Sequence, residues 1–398
     1  MLVGRKTMLY ASPLPPVPSG ISDYSAVLVR ELSKDYDITL YIEDYDVEDP
    51  WLRRLPKLRY GIDRVDWDSF DYCVYNMGNH SGFHSYIYET ALQHPGMVIL
   101  HDISLFDFLR GYYSDRGQLY SKVFQVGGAA CLQELKEALK SGEIAQRGTR
   151  LALEYPLNRE LIESGNKIMV HSEFGRRMVL SGGRIAPEQV RKISQIAPIL
   201  DGEAPSGSKR MLRGKYGIPQ DALMIASFGT ILDKKLNREI ATAVKNLARE
   251  GGRKLCYVMV GEGHYADDLL ERNLVIKTGF TPLDEFNGMI DCADIVANMR
   301  NPSHGETSAA MLRILQKGKP CITNDGGWFT EIPDDCVCKV ALENVENNIE
   351  RALRELIRNA GKREELGKNA MRYVRDNCAP EKIRREIGRF LAGNQALT

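Results

Sequence analysis

The feature that most constrains this chain is a rhythm that runs through it twice. Short apolar, β-branched or aromatic runs alternate with longer amphipathic stretches. The first series is TMLYA (7–11), DITLYI (37–42), DYCVYN (71–76), MVIL (97–100) and KIMV (167–170). The second is LMIASF (223–228), LCYVMV (255–260), LVIKT (274–278), DIVANM (294–299) and PCITN (320–324). Runs this short and this apolar read as strands buried on both faces, with helices between them, which is the pattern of parallel α/β sheets. The series restarts near residue 222, so two domains are expected. The 398 residues agree, being too many for one core of roughly 100 to 200 residues.

Between the two series lies LDGEAPSGSKRMLRGKYGIPQDA (200–222), rich in Gly, Pro, Ser and charge, which reads as a hinge. The domains are therefore expected over 1–203 and 204–378, with a helix in 379–398 that packs back on the first. The stretch 103–165 carries no strand pattern and reads as a helical insertion. Its aromatic run at 105–113, like the amphipathic tail, is suited either to a core or to docking on a membrane or partner.

Lys plus Arg equals Asp plus Glu at 53 each, which leaves no bulk charge for binding nucleic acid or an acidic membrane. The eight cysteines are scattered with no metal-ligand spacing, so they read as reduced and the protein as cytoplasmic. Neither a signal-peptide core nor a stretch of ~18 apolar residues occurs, which allows at most a peripheral contact with a membrane.

In open parallel sheets, ligands bind beyond the carboxyl ends of the strands. The loop after the first strand, SPLPPVPSGISDYS (12–25), brings Gly20 to the head of a helix that Ser22 or Asp23 could cap. A glycine there lets main-chain amides approach a phosphate, although a plain turn needs one too. No Walker loop or well-spaced GxGxxG is present. His101 and His171 each follow a strand and are placed to bond a hydroxyl or take a proton, with Ser172 the cap of the next helix.

In the second half, SFGTILDKKLN (227–237) places Gly229 and Thr230 after a strand and Lys235, with Lys234 its rival, before a helix capped by Asn237. A compact positive charge at that turn suits a diphosphate. Glu262 between Gly261 and Gly263, and Phe280 after Gly279, lie in loops of the same design. In SHGETSAAMLRILQKGKP (303–320), Glu306 heads a helix capped by Ser308 or Thr307. A carboxylate repels phosphate, so its useful partners are the hydroxyls of a ribose or sugar, with the Thr307 and Ser308 amides left for the phosphate. The alternative is a carboxylate that merely complements the helix end.

The blocks PPVPSGISDYSAVLVREL (15–32), VILHDISL (98–105), VHSEFGRRMV (170–179), SFGTILDKK (227–235) and GETSAAMLRILQKGKPCITNDGGWFTEIPDD (305–335) resemble the retaining glycosyltransferases of family 4. The resemblance implies the α/β GT-B fold, two Rossmann-like parallel-sheet domains facing across a cleft. It also implies metal-independent transfer of a hexose, mannose or glucose in type, from a nucleotide diphosphate sugar to a saccharide or lipid-linked acceptor. No further cofactor is called for. Carried over by position, Gly20 lies by the donor diphosphate, His101 meets the donor sugar, Lys235 pairs with the diphosphate, and Glu306 binds sugar or ribose. His101, Lys235 and Glu306 form the implied catalytic set. Gly229, Thr230, Lys234, Glu262, Phe280, Gly305, Thr307 and Ser308 complete the donor site.

Two departures stand out. Many family members carry Arg where this chain has Thr230, and two glutamates where alignment on the GKP turn gives Gly305 and Arg313. The rival readings are a catalytically silent nucleotide-sugar-binding or assembly protein and an epimerase or phosphorylase of the same fold, since fold does not fix function. DYD (44–46) and DWD (66–68) imitate a metal-binding Asp-x-Asp but read as surface loops.

Overall fold

A computed structural model of the protein describes residues 4–198, 200 and 208–393. It divides into two compact units. The first comprises, among the described residues, 4–196, His304–Thr307 and 380–393, and the second comprises Ala197–Ser303 and Ser308–Ala379. The expected boundary at 203/204 lies outside the described residues.

Sheet one has seven strands: β1 (Lys6–Ala11), β2 (Tyr36–Ile42), β3 (Lys57–Arg59), β4 (Tyr72–Met77), β5 (Met97–Leu100), β6 (Lys167–Val170) and β7 (Val190–Lys192), in the order 3-2-1-4-5-6-7. Sheet two has six: β8 (Leu223–Phe228), β9 (Leu255–Val260), β10 (Val275–Lys277), β11 (Ile295–Ala297), β12 (Cys321–Asn324) and β13 (Cys338–Val340), in the order 10-9-8-11-12-13. All neighbouring strands are parallel. Each sheet is buried on both faces by the period-two alternation of its side chains. Leu9 and Ala11 of β1 enter one core while Met8 and Tyr10 enter the other. Met224, Ala226 and Phe228 of β8 are likewise separated from Leu223 and Ile225.

Three strands have no counterpart in the sequence reading: β3 (KLR), β7 (VRK) and β13 (CKV). Each is three residues long and stands at a sheet edge. Exposed on one side, such a strand needs no apolar run and tolerates charge, so it leaves no periodic signal.

The 103–165 stretch folds as helices Phe106–Ser114, Leu119–Lys140, Ile144–Glu154 and Arg159–Glu163, the second interrupted at Gly128 (φ 82°, ψ −178°). Phe106, Phe108, Leu109, Tyr112 and Tyr113 of the aromatic run are all core residues. The last helix, Pro380–Leu391, buries Ile383, Ile387, Phe390 and Leu391 in the same core as Tyr24, Leu28 and Leu32 of helix Gly20–Leu32. Arg384 pairs with Glu31 (3.2 Å) and Asp35, and Lys167 Nζ donates to the Phe390 and Leu391 carbonyls (3.0 Å each). Both candidate docking segments are thus used for packing. Among the described residues no helix is long and apolar enough to cross a membrane. All eight cysteines are free thiols.

Candidate functional site

In the first unit the strand order reverses direction between β1 and β4, which opens a crevice at their carboxyl ends. The proline-stiffened loop after β1 delivers helix Gly20–Leu32 to that end. Its cap is Ser19, whose hydroxyl accepts from the Ile21 amide (3.2 Å), in place of the expected Ser22 or Asp23. Gly20 is the first residue of the helix, and a Cβ added there would meet nothing within 4 Å. The helix start therefore presents open space to a ligand.

His101 follows β5, and its ring is fixed by a residue that the sequence reading passed over. Asn76, at the end of β4 and fully buried, donates through Nδ2 to the Ala11 carbonyl (3.3 Å), so its Oδ1 faces His101 Nε2 at 3.2 Å. That contact makes Nε2 the protonated nitrogen and leaves Nδ1 as the acceptor of a neutral ring. Around it stand Tyr24, edge-on at 4.7 Å between ring centroids, and His171 at 5.0 Å. Burial, helped by the neighbouring His171 and His84, holds the His101 pKa well below the ordinary histidine value. His171 donates through Nδ1 to the Ile193 carbonyl (3.1 Å), and burial lowers its pKa to about 4. Ser172 caps the following helix as expected, accepting from the Gly175 amide (2.9 Å).

The segment His304–Thr307 packs with this same unit. Gly305 (φ 91°) is held so close to Ile103 that an added Cβ would lie 2.3 Å from Ile103 Cγ1. Glu306 is buried, and its Oε2 accepts from the His304 amide (2.6 Å). Thr307 Oγ1 donates to Gln195 Oε1 (2.8 Å). The carboxylate at the head of this helix thus has a main-chain partner two residues before it. Ser308, assigned to the second unit, caps helix Ala309–Gln316 by accepting from the Met311 amide (3.2 Å).

In the second unit the reversal falls between β8 and β11. The loop after β8 runs through Gly229 (φ 90°) and exposed Thr230 to a 3₁₀ turn, Asp233–Lys235. Lys235 Nζ donates to the Phe228 carbonyl (2.9 Å), and a Cβ on Gly229 would meet it at 2.6 Å. Burial is the main cause that lowers the Lys235 pKa to about 7, with the charges of Arg300 and Lys234 adding to it. Lys234 is half-buried in the same turn, its carbonyl accepting from the Asn301 amide (2.7 Å). Asn237 is not the cap of helix Asn237–Arg249. Its side chain is buried and donates to Ser227 Oγ and Tyr257 Oη (3.0 Å each), and the cap position is Leu236 at φ 54°.

The glycines flanking Glu262 are required by packing. A Cβ on Gly261 (φ 153°) would lie 2.3 Å from the Gly229 carbonyl oxygen, and one on Gly263 (φ 134°) equally close to that of Ile231. The Ile231 amide donates to the Glu262 carbonyl (2.6 Å), while the Glu262 side chain is exposed. Thr278 Oγ1 accepts from the Gly261 amide (3.2 Å), and Phe280 projects into solvent, 71% exposed. The loops after β8, β9 and β10 are therefore one interlocked main-chain floor beside Lys235.

No family model and no curated protein matches the sequence. Solved structures match it over nearly its whole length. HepE of Anabaena, crystallised with UDP and glucose, superposes with a TM-score of 0.65 at 13% identity over 98% of this chain and 100% of its own. The fold is GT-B. A glycosyltransferase of Rickettsia africae (TM-score 0.67, 12% identity, 99% and 100% coverage) shares the GT-B architecture. So does WaaG, a glycosyltransferase involved in lipopolysaccharide biosynthesis (0.61, 14%, 97% and 100%). Within this GT-B chain the predicted site residues divide by unit. His101, Gly20, Gly305, Glu306 and Thr307 belong to the first; Gly229, Thr230, Lys234, Lys235, Glu262, Phe280 and Ser308 belong to the second. Asp44 and Asp46 both pair with Arg59 (3.3 and 3.4 Å), and Asp66 and Asp68 are exposed. No group of three or more His, Cys, Asp or Glu among the described residues is arranged to hold a metal ion.

Proposed function

We propose that the chain is a retaining glycosyltransferase of family 4 that moves a hexose from a nucleotide diphosphate sugar to a saccharide or lipid-linked acceptor. The observation that carries this reading is Lys235. An ammonium in a half-buried turn, whose described partner is a carbonyl and whose pKa burial and the charges of Arg300 and Lys234 lower, is costly until an anion arrives. It stands at the switch point of a parallel sheet, where such folds bind ligands. HepE, which shares the fold, was solved with UDP and glucose, which favours a nucleotide diphosphate as that anion.

In this reading the diphosphate lies over Gly229 against Lys235 and Lys234, and the base rests on the main-chain floor with Phe280 beside it. Thr230 and Glu262 line the floor, and Ser308 contributes its amide. Within the first unit, the neutral His101 offers Nδ1 as an acceptor for a sugar hydroxyl. Glu306 shapes the turn from Gly305 to Thr307 that borders the sugar. The bond from the anomeric carbon to the β-phosphate oxygen breaks, and the acceptor oxygen bonds that carbon on the same face. The acceptor proton passes to the departing phosphate oxygen. Lys235 stabilises the charge that develops on the diphosphate, a role worth ~3 to 4 kcal/mol per donor in comparable oxyanion sites. The reaction calls for no metal in this scheme.

The test is a thermal-shift panel of UDP-, GDP- and ADP-sugars in EDTA on the wild type and on Lys235→Ala. A donor at about 100 times its Kd adds ~2.7 kcal/mol of stability if it binds only the folded state. The expected result is a shift with one nucleotide that Lys235→Ala abolishes, followed by release of that nucleotide diphosphate when acceptor is added. Donor binding without turnover on any saccharide or lipid-linked acceptor would favour the silent binding protein. Altered sugar without an acceptor would favour an epimerase.

A further inference from the structure

Beside the crevice of the first unit, the chain leaves β4 and β5 through neighbouring loops, since Met77 pairs with Leu100 and the His101 amide donates to the Met77 carbonyl (2.9 Å). One residue ties these loops together. The Asn79 amide donates to Asp102 Oδ2 (3.1 Å) and its Nδ2 to Asp107 Oδ2 (3.4 Å), while its Oδ1 accepts from the Phe108 amide (2.8 Å). The loop after β4 is also seated on the start of helix Gly20–Leu32, where a Cβ on Gly78 would lie 2.4 Å from Ile21 Cδ1. A loop held at so many points keeps the side chains it carries in place.

The next residue, His80, occupies the cap position of helix Ser81–Gln93 but makes no capping bond through its side chain. Its ring lies instead on that of Phe83, with 4.4 Å between centroids and 20° between planes. Gly82 makes room for it, because a Cβ there would lie 3.0 Å from His80 Cε1. Phe83 is half-buried and His80 exposed, so the stack offers solvent a supported aromatic ring just past the carboxyl end of β4. Asp107, which the neighbouring Asn79 reaches, has a side chain 49% exposed, and Arg110 donates to its Oδ1 at 3.4 Å. Both contacts are long, and a carboxylate has about four acceptor positions, so Asp107 retains capacity for hydroxyl donors.

An aromatic ring beside a carboxylate suits a sugar, whose C–H face packs on the ring while its hydroxyls donate to the acid. The charged groups here are Asp102 and Asp107 against Arg110 alone, a balance that repels phosphate. We infer that the His80–Phe83 stack and Asp107 form the acceptor subsite of the first unit, and that it takes a neutral sugar ring rather than a phosphate group. This rests on the transferase reading above and narrows its acceptor. Asn79 is the positioning residue, because it fixes the loop that carries His80 and holds Asp107 beside it.

The experiment is saturation-transfer NMR with methyl α-glucoside, methyl α-mannoside, maltose, glucose 6-phosphate and mannose 6-phosphate. It is run on the wild type, His80→Ala, His80→Tyr and Asp107→Asn. At least one neutral glycoside is expected to bind the wild type more tightly than either hexose phosphate, with the strongest transfer to its ring C–H protons. His80→Ala is expected to weaken that binding about 3- to 10-fold and His80→Tyr to retain it, while Asp107→Asn weakens it about tenfold. The thermal shift given by a nucleotide sugar is expected to stay at its wild-type size in all three variants, which a loss of fold would not allow. If a nucleotide sugar binds but no neutral glycoside does, the acceptor subsite is overturned and the transferase reading stands. The same holds if the hexose phosphates bind more tightly, or if neither His80→Ala nor Asp107→Asn weakens glycoside binding. If no nucleotide sugar binds the wild type, the transferase reading itself falls.

Discussion

Lys235 shows how a single residue can be recognised by its discomfort. Burial lowers its pKa from 10.5 to about 7, so between those values the unfolded chain binds more protons than the folded one. Raising the pH through that window therefore stabilises the ligand-free fold, and below pH 7 the full penalty is present. Lys235→Met is expected to raise the melting temperature at pH 6.5 and to flatten the gain between pH 7 and 9. Part of the slope remains, because burial also lowers Lys319 to about 8. A melting temperature at pH 6.5 no higher than that of the wild type would contradict the penalty. Lys235 was legible in the sequence as a lysine in a loop between strand and helix. Asn76 was not, because its task is to orient a histidine just past the neighbouring strand, a pairing that only the fold creates.

Among elements, the interlocked loops after β8 and β9 make the sharpest prediction. Gly261→Ala would place a methyl group 2.3 Å from the Gly229 carbonyl and at a φ of 153° that side chains rarely adopt. Strain of this kind costs ~1 to 3 kcal/mol. The expected outcome is a lower denaturation midpoint together with weaker donor binding, since the displaced carbonyl belongs to the loop that carries Lys235. Loss of stability without loss of binding would separate the floor from the site. The same elements show where sequence patterning succeeds and fails. Fully buried strands such as β8 and β9 announce themselves as apolar runs, whereas charged three-residue edges do not. Asn237 misleads as a cap because Ser227 and Tyr257 claim its side chain, and helix Gly20–Leu32 starts at Ser19 because the proline-rich loop already ends there.

At the scale of the whole molecule, the first unit is assembled from distant parts of the chain. Its core is closed by helix Pro380–Leu391, which seats Ile383, Ile387, Phe390 and Leu391 beside Leu28 and Leu32. Ile387 is fully buried, so Ile387→Ala is expected to cost ~2 to 5 kcal/mol and to lower the melting of this unit selectively. Hydrogen exchange of amides in β1 and β2, against those in β8 and β9, would read that selectivity. Equal effects on both pairs of strands would mean that the units unfold as one.

The closing helix also sets a timetable. Residues 197–379 stand between the body of the first unit and the helix that completes it. At the ~5 to 20 residues per second at which ribosomes extend a chain, that interval lasts roughly ten to forty seconds. During it the nascent first unit has an apolar trench along helix Gly20–Leu32 with nothing to fill it, while the second unit emerges whole. The N-terminal half is thus made first and finished last, and a chaperone that shields exposed apolar surface has its natural client on the ribosome in that interval.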